Sequence, residues 1–144
     1  MKISILLPYK ENFSPQYPGA VSLFINSMNR LSSYKGEITV YGSTDLKEKF
    51  SENYINIDLK KSFLKSQTRD YVNKFVELHK SQNTDIIEIH NRPNYIDFLK
   101  SLNSKKVLYF HNDPISMIGS KSPFERKELI RSCAKIIFYL YQFF

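Results

Sequence analysis

The sequence predicts an α/β protein with a doubly wound parallel sheet. Two observations carry this expectation: short apolar runs recur along the chain, and the stretches between them place apolar residues three and four apart. Strands alternating with amphipathic helices bury both faces of a sheet, and right-handed crossovers then make the strands parallel. At 144 residues there is chain enough for one domain with a real core, and the expectation is one domain spanning residues 1–144.

Each element follows from its local pattern. Lys2 to Pro8 is an apolar run stopped by proline, the pattern of a strand buried on both faces. From Gly19 to Ser32, Val21, Phe24, Ile25, Met28 and Leu31 fall on one helical face. Glu37 to Tyr41 predicts a second strand between two glycines, and Tyr54 to Ile57 a weaker third. Helical spacing returns from Ser66 to Ser81 through Tyr71, Val72, Phe75, Val76, Leu78 and His79. Asp85 to Ile89 reads as the fourth strand, and Asn94 as the cap of a short helix to Leu102 with Asp97 as its capping-box partner. Lys106 to Phe110 reads as the fifth strand. Ser122, Pro123 and Glu125 then form a strong helix start for a helix to about Ala134, and Ile136 to Phe138 begins a sixth strand.

Composition excludes several classes. The charged fraction of 24% and hydrophobic fraction of 42% belong to a folded chain, not a disordered one. The single cysteine, Cys133, leaves no internal disulfide and no cysteine pair for a metal, so a reducing compartment, the cytoplasm, is expected. The run Ile3 to Leu7 is too short for a signal sequence, and no run approaches a membrane span of about 20 residues. A net charge of +7 favours anionic partners without choosing among them. The segments Lys60 to Lys65 and Lys121 to Arg131 mix basic and apolar side chains, which suits peripheral contact with an anionic membrane as well as a solvated face. Nucleic acid is not the expected partner, because most aromatic residues fall on core faces.

Parallel strands end on one edge, and ligands of such sheets bind outside that edge. Lys10, Ser43, His90-Asn91-Arg92 and His111-Asn112-Asp113 all follow strands, so they share a rim. Two of three histidines there are the main pointer to a site, since imidazole bonds hydroxyls or exchanges protons near neutral pH. The third, His79, is expected to be a partly exposed structural residue on its helix. Gly19 opens the first helix, which has no acidic residue through Ser33, so an anionic ligand has room to approach its amides. A turn glycine explains Gly19 equally well. No GxSxG elbow, Walker loop or GxGxxG pattern is present, and His90, His111 and Asp113 lack the spacing of zinc motifs. No metal or cofactor is expected.

The stretches ISILLPYKENFSPQYPGAVSLF, DIIEIHNRPNY and KVLYFHNDPISMIGSKSPFERKELIRSCAKIIF resemble the N-terminal, acceptor-binding domain of GT-B glycosyltransferases, and the loops resemble glycosyltransferase family 4. The resemblance implies a Rossmann-like fold and retaining transfer from a nucleotide-sugar to a glycan or lipid-linked acceptor. It also implies a setting in cell-envelope polysaccharide synthesis, in the cytoplasm or peripheral at the inner face of the membrane. It places Gly19 beside the donor diphosphate and His111 beside the transferred sugar, where His111 is the catalytic candidate. Lys10, His90 and Arg92 are the acceptor-side candidates. The family's diphosphate-binding residues lie in a C-terminal domain that has no counterpart here, so the chain reads as an apparently truncated half, inactive alone. A non-catalytic α/β binding module that completes a site with another chain is the alternative.

Overall fold

A computed structural model of the chain describes residues 1–59 and 66–112. The expected helix from Ser122, the sixth strand, Asp113, Cys133 and both mixed basic segments lie outside the described residues.

The elements are β1 (Ile3–Leu6), α1 (Ala20–Leu31), a 3-10 turn (Lys35–Glu37), β2 (Ile38–Gly42), β3 (Tyr54–Asn56), α2 (Gln67–His79), β4 (Ile86–His90), a 3-10 helix (Pro93–Ser101) and β5 (Lys105–Tyr109). The five strands form one all-parallel sheet in the order β3-β2-β1-β4-β5. This is an α/β sheet flanked by helices, of the Rossmann-like kind. The short helix is 3-10, and its N-cap is Arg92 instead of Asn94, which lies exposed inside the first turn. Asp97 pairs with Lys100 at 2.6 Å on the surface rather than closing a capping box.

The period of two along β1 divides the core into two layers. Ile5 and Leu7 point to one face with Phe13, Val21, Ile25, Ile38 and Val40, the layer beneath α1. Leu6 points to the other with Tyr41, Tyr71, Phe75, Ile87, Ile89, Tyr95 and Leu99, the layer beneath α2 and the 3-10 helix. Two buried tyrosines fasten this second layer to the strand ends. Tyr71 donates its hydroxyl to the Leu7 carbonyl at 3.0 Å, and Tyr95 Oη accepts from the Tyr9 amide at 2.9 Å. The loop after β1 is thereby pinned at the carboxyl edge of the sheet.

His79 ends α2 and is buried, 2% exposed, against the expectation of partial exposure. Its Nε2 lies 3.1 Å from Ser4 Oγ, on the β1 face turned toward α2. Burial, helped by the nearby Lys106 charge, holds its pKa below the usual histidine value. A group whose folded pKa is depressed resists protonation only when folded, so the unfolded chain binds the extra proton first. Its contribution is fully present above the unfolded value of about 6.5 and is lost as pH falls below it toward the folded value. Urea midpoints measured at several pH values should therefore fall between neutral and mildly acidic pH, and His79→Gln should flatten that slope. An unchanged slope in the variant would remove His79 as its source.

Candidate functional site

The strand order changes direction at β1. The chain leaves β1 toward β2 on one side and returns to β4 on the other, so the loops after β1 and β4 diverge at the carboxyl edge. Such a switch point is where open α/β sheets form their ligand crevice. Lys10 and Glu11 come from the first loop, His90 from the end of β4, and Asn91 and Arg92 from the loop after it.

His90 is the last residue of β4, paired with Tyr109 of β5. Strand alternation turns Ile87 and Ile89 into the α2 layer and Glu88 and His90 to the opposite face, against α1. His111 follows two residues beyond β5, and its Nε2 lies 2.8 Å from His90 Nδ1. The rings stack with centroids 5.0 Å apart. Phe24 of α1 packs its ring edge-to-face against His111 at 4.8 Å, and Tyr109 closes another side at 4.9 Å. The His111 backbone is held as well: its amide donates to Asn91 Oδ1 at 2.8 Å. Asn91 reaches across because its own backbone is left-handed, φ 52°, a conformation asparagine tolerates well.

Two carboxylates face the histidine pair. Glu88 Oε1 lies 2.7 Å from His90 Nε2 but is not aligned as a hydrogen bond, so among the described residues Nε2 has a carboxylate beside it and no directed partner. Glu11 approaches His111 from the loop after β1. The pKa of His111 is lowered by burial first and by the proximity of His90, with the two carboxylates opposing the shift. His111 is therefore uncharged at neutral pH, and one of its ring nitrogens is a hydrogen-bond acceptor.

The first turn of α1 differs from the open anion site that its sequence suggests. Glu11 Oε1 accepts a hydrogen bond from the Ser22 amide at 3.0 Å, so the chain's own carboxylate occupies the positive end of the helix. A Cβ on Gly19 would overlap that carboxylate, so in this structure Gly19 makes room for Glu11. The carboxylate that balances α1 comes from the preceding loop, outside the helix, where no acidic residue is found. An anionic ligand at Gly19 has to displace Glu11.

The other expected site residues are distributed unequally. His90 is fully buried, with its ring against His111, Tyr109 and Phe24, so it is not placed to touch an acceptor itself. Arg92 spends a guanidinium N–H on the Asn91 carbonyl at 2.9 Å, bracing its own loop. Lys10 is exposed at the rim, with its ammonium 5.5 Å from the Tyr9 ring centroid and a left-handed backbone, φ 67°. Sequence reasoning missed Glu88, Glu11 and Phe24. Glu88 carried a signal, a lone charge in the apolar run Ile86 to Ile89 on the same strand face as His90. Glu11, eight residues before Gly19, carried none.

Among the described residues no cluster of three histidine, cysteine, aspartate or glutamate side chains is arranged to hold a metal ion. Among the same residues no helix is long and apolar enough to cross a membrane. Comparison of the chain with protein-family models, with curated proteins and with solved structures finds no match.

Proposed function

We propose that the chain forms the acceptor side of a retaining glycosyltransferase, the N-terminal half of a GT-B architecture, which helps transfer a sugar from a nucleotide-sugar to a glycan or lipid-linked acceptor. The observation that carries this reading is the convergence of His90, His111, Glu11 and Glu88 at the switch point of the sheet. The His111 imidazole, held from behind by His90 and Glu88, can bond a hydroxyl of a sugar, and the edge-on Phe24 adds an apolar wall to the same spot. The family resemblance of the three loops supports the same chemistry.

In this reading His111 orients the transferred sugar while the departing phosphate accepts the proton of the acceptor hydroxyl. Burial lowers the His111 pKa, which makes the imidazole a weaker base while leaving it a hydrogen-bond acceptor, so orientation suits it better than base catalysis. The donor nucleotide is held by a second domain, whose cationic residues offset the charge that develops on the diphosphate. This chain by itself then turns over no nucleotide-sugar.

The experiment is an NMR titration of the 15N-labelled chain with maltooligosaccharides, mannose oligomers and N-acetylglucosamine oligomers, beside UDP-glucose and GDP-mannose in calorimetry. The expected result is a saccharide response confined to the amides of Lys10, Asn91, Arg92 and His111, with no tight nucleotide-sugar binding and no transfer. Tight nucleotide-sugar binding, turnover by this chain alone, or no response to any saccharide would overturn the reading.

A further inference from the structure

His111 has two ring nitrogens, and which of them bears the proton decides what the site offers a ligand. Heavy-atom geometry around the pair decides it. His90 Nε2 lies 2.7 Å from a Glu88 carboxylate oxygen. A nitrogen lone pair at that distance from a carboxylate would be strongly repelled, even where the contact is poorly aligned, whereas an N–H is attracted. The His90 proton therefore sits on Nε2. In its uncharged form the ring carries only one proton, so Nδ1 of His90 is then an acceptor. That acceptor lies 2.8 Å from His111 Nε2, which has to be the donor.

We propose that Glu88 and His90 form a positioning pair that fixes His111 as its Nε2–H tautomer, leaving Nδ1 as the hydrogen-bond acceptor of the site. The chain of contacts runs from a half-buried carboxylate, through a fully buried imidazole, to a ring at the rim. It explains why a histidine with no exposure ends β4: His90 passes the bias of Glu88 to His111. The ring is steadied on its other sides by Phe24 and Tyr109, and its backbone by Asn91. The charged and titratable groups facing it are His90 and Glu88 from β4, Glu11 from the loop after β1, and Tyr109 from β5.

An unprotonated Nδ1 selects ligands that donate, and the ligand class it fits is a sugar presenting a free ring hydroxyl. That last step rests on the glycosyl-transfer reading; the tautomer does not. Neither Glu88 nor His90 touches the ligand in this scheme, so both act through His111.

The test is long-range 1H–15N NMR on the uniformly 15N-labelled chain, free of ligand, at slightly alkaline pH. The expected result is a protonated Nε2 and an unprotonated Nδ1 for His111, with the same assignment for His90. Glu88→Gln replaces the carboxylate by an amide able to donate or accept, so it should let both rings average between tautomers. It should also lower the His111 titration midpoint, because the Glu88 charge is one of the groups holding that midpoint up. A His111 proton on Nδ1 in the unmodified chain overturns the proposal whether or not the variant folds. So does an unchanged tautomer pattern in a folded Glu88→Gln protein. The two readings fail separately: the expected tautomer without a saccharide response sinks glycosyl transfer alone, and a saccharide response with the opposite tautomer sinks the positioning pair alone.

Discussion

His111→Ala should lower glycosyl transfer by the enzyme containing this chain on the order of 100-fold, the loss expected when a reacting group is misplaced by about 1 Å. The far-ultraviolet circular dichroism should be unchanged, because His111 lies outside the described strands, two residues after β5, and is only partly buried. Affinity for the free nucleotide should also be unchanged, because the nucleotide is held elsewhere in the proposed enzyme. His90→Ala differs in kind. It empties a fully buried position and leaves Glu88 facing a void, so it should cost stability as well as transfer, the second through loss of the Nε2 partner of His111. Steady-state kinetics beside urea unfolding separates the two variants. Full turnover by a folded His111→Ala protein would reduce this histidine to a loop contact.

Phe75→Ala should cost about 3–5 kcal/mol, the usual loss for a large aromatic removed from a packed core. Phe75 is fully buried in the layer beneath α2, edge-to-face with Tyr41 at 4.9 Å and beside His79 at 5.0 Å. Those neighbours are themselves tied to the sheet: Tyr41 lies in β2, and His79 reaches Ser4 of β1. A cavity there loosens α2 against two central strands at once. Against a typical stability of roughly 5–15 kcal/mol, such a loss leaves little of the domain folded at moderate urea. The shift of the urea midpoint at constant slope measures it. A loss below about 1 kcal/mol would mean that the layer collapses around the gap and that α2 is held chiefly by its other buried residues.

The two histidine loops and the sheet were legible for the same reason, that apolar periodicity is local and strands in a parallel sheet share one edge. Val21 and Ile25 on α1, Tyr71, Val72, Phe75 and Val76 on α2, and the runs of β1, β2 and β4 all announce a face by spacing alone. Element ends were less legible. Arg92 caps the 3-10 helix where Asn94 has the better capping chemistry, because the left-handed Asn91 and the Pro93 that follows Arg92 fix where the turn can begin.

Alone, then, the sequence determined an α/β chain with a parallel sheet and placed Lys10, His90, Arg92 and His111 on one rim. What those residues are to one another depends on how the loops meet in space. The tertiary structure buried His90 and set it between Glu88 and His111, and it turned Arg92 back onto its own loop. It also closed the start of α1 with Glu11, a residue eight positions away that no helix pattern includes. The physical reason is range. Periodicity reports which face a residue takes, through neighbours three or four positions off, whereas a hydrogen bond between positions 90 and 111, or a carboxylate laid over a later helix, depends on how separate loops meet in space.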